Sequence, residues 1–152
     1  SWNYYEFIEG QLPEKLDMNL RTRFGISAYQ YFFGMLERMK NASIISWAGT
    51  EDFDGEQYDV VFVTWHKAEP HSENDQYKLL INRETGLLDY VIYTLRENYL
   101  KMPGGRAFYG SVKYTDYKEI DGVLIPHTQT VFLNNPKREI KKNLHQLKVT
   151  DF

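Results

Sequence analysis

From Ser43 onward, apolar and polar positions alternate with a period of two, in bursts separated by turn residues. That period predicts β-strands. The bursts are Ser43–Gly49, Gln57–His66, Tyr77–Asn82, Leu87–Arg96, Ala107–Lys118, Val123–Leu133 and Leu144–Phe152. The breaks between them carry turn chemistry. Glu51-Asp52-Phe53-Asp54-Gly55 and Asp121-Gly122 hold Asp-Gly pairs, which accept the positive φ of a tight hairpin. Arg83-Glu84-Thr85-Gly86, Met102-Pro103-Gly104-Gly105 and Asn134-Asn135-Pro136 are further breaks, and residues 67–75 are a polar loop. Every connection is too short for a crossover helix, so successive strands pair antiparallel. The stretch from Ile44 to Phe152 is therefore expected to be one curved antiparallel β-meander.

Several of these strands are apolar on both faces. Tyr58, Val60 and Phe62 alternate with Val61, Val63 and Trp65, and Leu87, Val91 and Tyr93 oppose Leu88, Tyr90 and Ile92. Such strands are covered on both sides, or covered on one and ligand-facing on the other. Pro126 interrupts a strand pattern and points to a bulge or an edge. An open half-barrel fits this better than a closed one.

The period ahead of the sheet is different. Tyr31, Phe32, Met35, Leu36 and Met39 follow helical spacing and predict one apolar face on a helix over Ala28–Asn41. Ser27 is its expected N-cap, and Lys40-Asn41 its close, with Asn41 in the left-handed region. Gly34 weakens this helix by about 1 kcal/mol relative to Ala. Pro13-Glu14-Lys15 is expected to open a short helical turn. The fold class is thus α+β: a half-barrel meander packed against an N-terminal helix, in one domain of 152 residues with residues 1–42 as a helical or irregular cover.

Composition narrows the function classes. Aromatics make up 16% of the chain, which suits strands and also suits an aromatic-lined cavity. The net charge is −3, and the richest basic run, Lys137–Lys142, is broken by Glu139, so a nucleic-acid partner is not expected. The absence of Cys excludes disulfides and thiolate chemistry. The chain starts at Ser1 rather than Met and reads as processed, trimmed or truncated.

No constellation compels a reaction. In His66-Lys67-Ala68-Glu69-Pro70-His71, Pro70 breaks the helix that a paired-histidine metal motif needs. Asp52, Asp54, Gly55 and Glu56 resemble the start of a calcium loop without its closing Glu. Asp116, Glu119 and Asp121 read as a solvated turn. His127 and His145 read as a surface-facing pair. No catalytic residue, metal or cofactor is assigned.

One segment carries a resemblance. Tyr114-Thr115-Asp116-Tyr117-Lys118-Glu119-Ile120-Asp121-Gly122-Val123-Leu124-Ile125-Pro126 resembles a segment of the bacterial LolA-like superfamily, the outer-membrane lipoprotein carriers and their relatives. Tyr77–Leu88 is similar to that group's preceding hairpin, and Gly55 with Tyr58–Val61 fits its order. The resemblance implies an incomplete barrel plugged by helices, an acyl chain or other apolar ligand in the cavity, no catalysis, and a periplasmic or envelope location. The family's further strands ahead of the helix have no counterpart here, which implies a C-terminal portion or a shortened member.

The leading expectation is a non-catalytic carrier of a lipid-like or other apolar ligand in the bacterial envelope, with the helix as lid. Candidate contacts are Tyr31, Phe32, Met35 and Met39 on the helix and Trp47, Phe62, Tyr90 and Tyr109 on the sheet. Two other readings stand beside it. One is an interaction or scaffold module meeting an envelope protein, or a second copy, along an edge strand. The other is an enzyme using His127 or His145 with an acidic partner.

Overall fold

The structure, a computed structural model, describes residues 5–6, 9–15, 31–32, 34–69, 73–94, 109–132 and 143–150. The chain divides into two compact units, Ser1–Asn41 and Ala42–Phe152.

In the first unit, β1 (Tyr5–Glu6) pairs antiparallel with β2 (Glu14–Lys15). This corrects the helical turn expected at Pro13. Proline presets φ for a helix start, but that φ also suits an extended entry, and pairing with Tyr5–Glu6 selects the latter. Among the described residues, 31–32 and 34–39 are helical and form α1. Phe32, Met35 and Met39 are buried, whereas Leu36 is 44% exposed, so the apolar stripe is narrower than the spacing predicts. Asn41 is not among the residues at positive φ. The helix instead closes with a tightened turn, Asn41 N donating to Arg38 O at 3.1 Å. Ser27 and the expected start of the helix lie outside the described residues.

The second unit is an open antiparallel meander. Its seven described strands are β3 (Ile44–Phe53), β4 (Glu56–Thr64), β5 (Tyr77–Asn82), β6 (Leu88–Thr94), β7 (Tyr109–Ile120), β8 (Val123–Phe132) and β9 (Asn143–Lys148). They neighbour one another in strict sequence order, and β3 and β9 are the edges. The half-barrel form fits this order, and closure does not occur.

The turns follow from φ. Asp54 and Gly55 (54° and 83°) join β3 to β4, and Asp121 and Gly122 (51° and 80°) join β7 to β8. Both central residues of each turn are left-handed, which matches the twist of the flanking strands. Asn82 organises the turn after β5. Its Oδ1 accepts from the Glu84 and Thr85 amides at 2.9 and 3.2 Å, and its Nδ2 donates to Asp89 Oδ2 at 3.1 Å.

Several strand ends differ from expectation: β4 stops at Thr64 rather than His66, and β7 runs to Ile120 rather than Lys118. β3 does not stop at Gly49 but runs to Phe53, through part of the segment read as a turn. Gly49, at φ 97°, takes up a register shift between Trp47 and Thr50, so the glycine bulges the strand instead of ending it. β9 ends at Lys148, with residues 149–150 outside any strand. Pro126 lies inside β8 opposite Tyr117, beside Asp116 at φ 56°, and past the last β9 pairing at Thr128. The missing ladder donor thus falls at a backbone irregularity near an unpartnered strand end. The breaks at 102–105 and 134–136, and the basic run at 137–142, lie outside the described residues.

Candidate functional site

Pairing registers sort the strand side chains onto two faces, because successive residues point to opposite sides. One face carries Tyr58, Val60 and Phe62 of β4, Leu80 of β5, Tyr90 and Ile92 of β6, and Ser111 and Lys113 of β7. Tyr58, Leu80, Tyr90 and Ile92 form one buried cluster, with Phe53 packed on it. Phe53 and Tyr58 both meet Tyr90 edge-on, with centroids 5.2 and 6.1 Å away. Lys113 lies over the Tyr90 ring at 5.3 Å. The Tyr58 hydroxyl donates to Asp89 Oδ2 at 3.1 Å. Burial first, then the Asp89 charge, pushes that hydroxyl's pKa up. Rings here fill each other's gaps, which is how a core behaves.

The opposite face carries Val63, Tyr77, Val91, Tyr93, Val112, Tyr114, Gln129 and Val131, all buried. Trp65 meets Tyr77 edge-on at 6.1 Å. The buried carboxylate of Asp75 has Oδ2 3.5 Å from the Tyr77 hydroxyl, and its backbone oxygen accepts from Thr64 Oγ1 at 3.1 Å. Tyr93 stands directly over its cross-strand partner Gly110, where no side chain competes for the space. Burial, followed by the Asp75 charge, raises the Tyr93 hydroxyl. Burial also raises Tyr114 and lifts Tyr117 to about 12. These phenols are therefore protonated at neutral pH. Tyr117 donates to Leu88 O.

Tyr114 differs from Tyr58 and Tyr117. It is 3% exposed, and its hydroxyl is buried with no hydrogen-bond partner among the described residues. A buried hydroxyl left unpaired costs about 1–3 kcal/mol, so natural proteins seldom keep one without cause. This makes the tyrosine face, rather than the self-packed Tyr90 face, the candidate site.

His127 and His145 also differ from expectation. Register places both on the tyrosine face, and His127 is buried rather than surface-facing, with Nδ1 3.0 Å from Ile125 O. The cause is that β9 extends the sheet beside β8, so His127 is not on an outer rim, whereas His145 lies on the edge strand and is half-buried. Burial holds His145 below its ordinary pKa. His66 is exposed, and His71 lies outside the described residues. Among the described residues, no group of three or more His, Asp or Glu is placed to hold a metal.

The structure brings only some of the sequence candidates together. Phe62 and Tyr90 share a face. Trp47 sits opposite Val61 on the other face of edge strand β3 and is 69% exposed. Tyr109 pairs with Thr94, and its side chain lies outside the described residues. Phe32, Met35 and Met39 are buried and Tyr31 half-buried in the first unit, where the Tyr31 ring meets Phe32 at 5.7 Å and the Arg38 guanidinium at 5.2 Å.

Tyr77, Tyr93 and Tyr114 were missed as site residues. A glycine inside a strand pattern, Gly110, is the signal that points to Tyr93, since it marks close approach of another group; Tyr77 and Tyr114 carry no such signal. No protein-family model matches the chain, and no curated protein or solved structure matches it.

Proposed function

We propose that this chain is a non-catalytic carrier or binding protein for a lipid-like or other apolar ligand, acting in the bacterial envelope. The observation that carries the reading is a tyrosine-rich face on an open sheet, with one buried hydroxyl, that of Tyr114, that has no hydrogen-bond partner among the described residues. The similarity of Tyr77–Leu88 and Tyr114–Pro126 to the LolA-like superfamily supports the same reading and supplies the envelope location.

The driving force is removal of hydrocarbon from water. Each buried methylene contributes about 0.8 kcal/mol, and association costs about 4–15 kcal/mol. A ligand of this kind therefore needs a chain of roughly ten or more methylenes. The tyrosine hydroxyls add orientation rather than bulk affinity. Titration with the apolar fluorophore N-phenyl-1-naphthylamine tests the reading. A saturable signal at about one dye per folded chain is expected, as for one cavity-sized site. A signal that grows only as denaturant loosens the fold would contradict it.

A second reading is favoured by a separate observation. Edge strand β3 exposes Ile45 and Trp47, at 56% and 69%. An edge strand with apolar side chains is a template for strand addition, so an interaction module that recruits an envelope protein or a second copy is the alternative.

A further inference from the structure

We infer that two copies of this chain join through β3, pairing the strands antiparallel about Ser46 so that Ile45 of each copy faces Trp47 of the other. The inference rests on the edge-strand reading above and names its partner. It is independent of whether the chain carries a ligand.

The edge is open. β3 is an end strand of the sheet, and Ile45, Ser46, Trp47 and Ala48 are four consecutive exposed residues. Exposure at successive residues leaves room on both faces of the strand. Edge strands are ordinarily guarded by charge or proline. Neither occurs from Asn41 to Thr50. The opposite edge, β9, is shorter and carries an exposed Lys148.

The make-up of this edge selects a second copy. A partner strand must be as free of charge as β3, and must offer apolar groups to Ile45 and Trp47 on one face. β3 itself meets both conditions. Ile45 and Trp47 pair with Val63 and Val61 and so share a face. Antiparallel copies centred on Ser46 set Ile45 against Trp47 of the second copy, twice over, and β-branched–aromatic pairs of this kind stabilise sheets. Centring on Trp47 instead would set Ile45 against Gly49, which lies at φ 97° in the bulge. Centring on Ile45 would leave Trp47 against Ser43, ahead of the strand. Charge sets the direction. Glu51 and Asp52 stand near one end of β3. Parallel copies would lay them against their own counterparts, whereas antiparallel copies hold them at opposite ends of the ladder. The arrangement closes on itself, because a two-fold axis through Ser46 uses up both β3 edges. One short ladder covers little surface, so association is expected only at high micromolar concentration.

The test uses the full chain. Sedimentation equilibrium of wild type should show the mass rising from one chain toward two as concentration increases. Trp47→Lys and Ile45→Lys should each hold it at one chain, since a charge on the edge opposes strand addition. Both should melt as wild type does, because the two positions are exposed. The chain has no Cys, so one introduced thiol reports alone. Ser46→Cys should form a disulfide-linked dimer on mild oxidation, because the two copies of residue 46 lie directly opposite each other. Thr50→Cys should stay monomeric, its two copies being eight residues apart along the ladder, roughly 26 Å. Wild type that keeps the mass of one chain at every concentration overturns the inference. So does a dimer that survives both lysine variants, or one in which Thr50→Cys crosslinks as readily as Ser46→Cys. The rate at which a thiol reagent modifies Ser46→Cys in dilute solution separates this failure from that of the wider reading. A freely reacting thiol beside a monomeric wild type leaves the edge to a different protein and overturns only the second copy as its occupant. A thiol protected at every concentration shows the edge already covered within one chain, and overturns both.

Discussion

Replacing Tyr90 by alanine is expected to cost about 3–5 kcal/mol of folding stability, as large aromatic truncations in a core do. The side chain is 4% exposed and is touched edge-on by Phe53 and Tyr58, with Leu80 and Ile92 in the same cluster. Removing the ring leaves a void among Phe53, Tyr58, Leu80, Ile92 and Lys113. A chain of this size has roughly 5–15 kcal/mol in total, so the variant will be marginal at 37 °C. Tyr90→Phe keeps the ring and loses only the polar tip, for about 0.5–1.5 kcal/mol. Urea titration measures both. The same pair separates core from ligand contact. If Tyr90 is core, fluorophore affinity per folded molecule stays at the wild-type value in Tyr90→Phe. A variant that stays fully stable yet loses binding would return Tyr90 to the ligand site.

The second large effect is at Gly110. A Cβ built there would lie 2.5 Å from both Cζ and Oη of Tyr93 and 2.8 Å from its Cε2. Real side chains do not approach that closely, so something must move. The atoms met are at the far end of a side chain, but Tyr93 is 4% exposed, so its ring is held by its surroundings. Gly110→Ala is therefore expected to destabilise by about 1–3 kcal/mol, the cost of overpacking. The proof lies in the cycle. With Tyr93→Ala already in place, Gly110→Ala should cost nothing or stabilise slightly, because alanine then only removes glycine's excess chain entropy. Equal costs in both backgrounds would place the strain elsewhere in β7.

Much of the sheet is legible in the sequence because local chemistry and global fold agree there. Asp54-Gly55 and Asp121-Gly122 each put two adjacent left-handed residues where a hairpin needs them. Tyr77–Asn82 begins and ends where its alternation does. The failures have physical causes. Gly49 reads as a strand end, since glycine favours both breaks and bulges, and only pairing with β4 decides between them. Pro13 reads as a helix start because its fixed φ says nothing about a partner strand seven to eight residues earlier. Asn41 reads as a left-handed cap, yet the last turn of α1 tightens instead.

The candidate site was less legible. Aromatic content flags Tyr90 and Trp47 as readily as Tyr93 and Tyr114. What separates them is register, which the sequence does not print. A shift between Leu80 and Ile81 lets Asp89 turn toward Tyr58 and Asn82, while Val91 and Tyr93 keep to the other side. Burial then divides Trp47 from the rest, because β3 happens to be an edge. An unused hydroxyl is invisible until every neighbour is in place.

The central claim is that the folded chain holds an apolar molecule. The mass of the protein as purified, measured by mass spectrometry under non-denaturing conditions, tests it most directly. The account predicts a chain carrying an added mass, released on denaturation into an organic extract as a lipid-like or other apolar compound. A bare chain, or a dimer without added mass, would contradict it, and the dimer would favour association through β3.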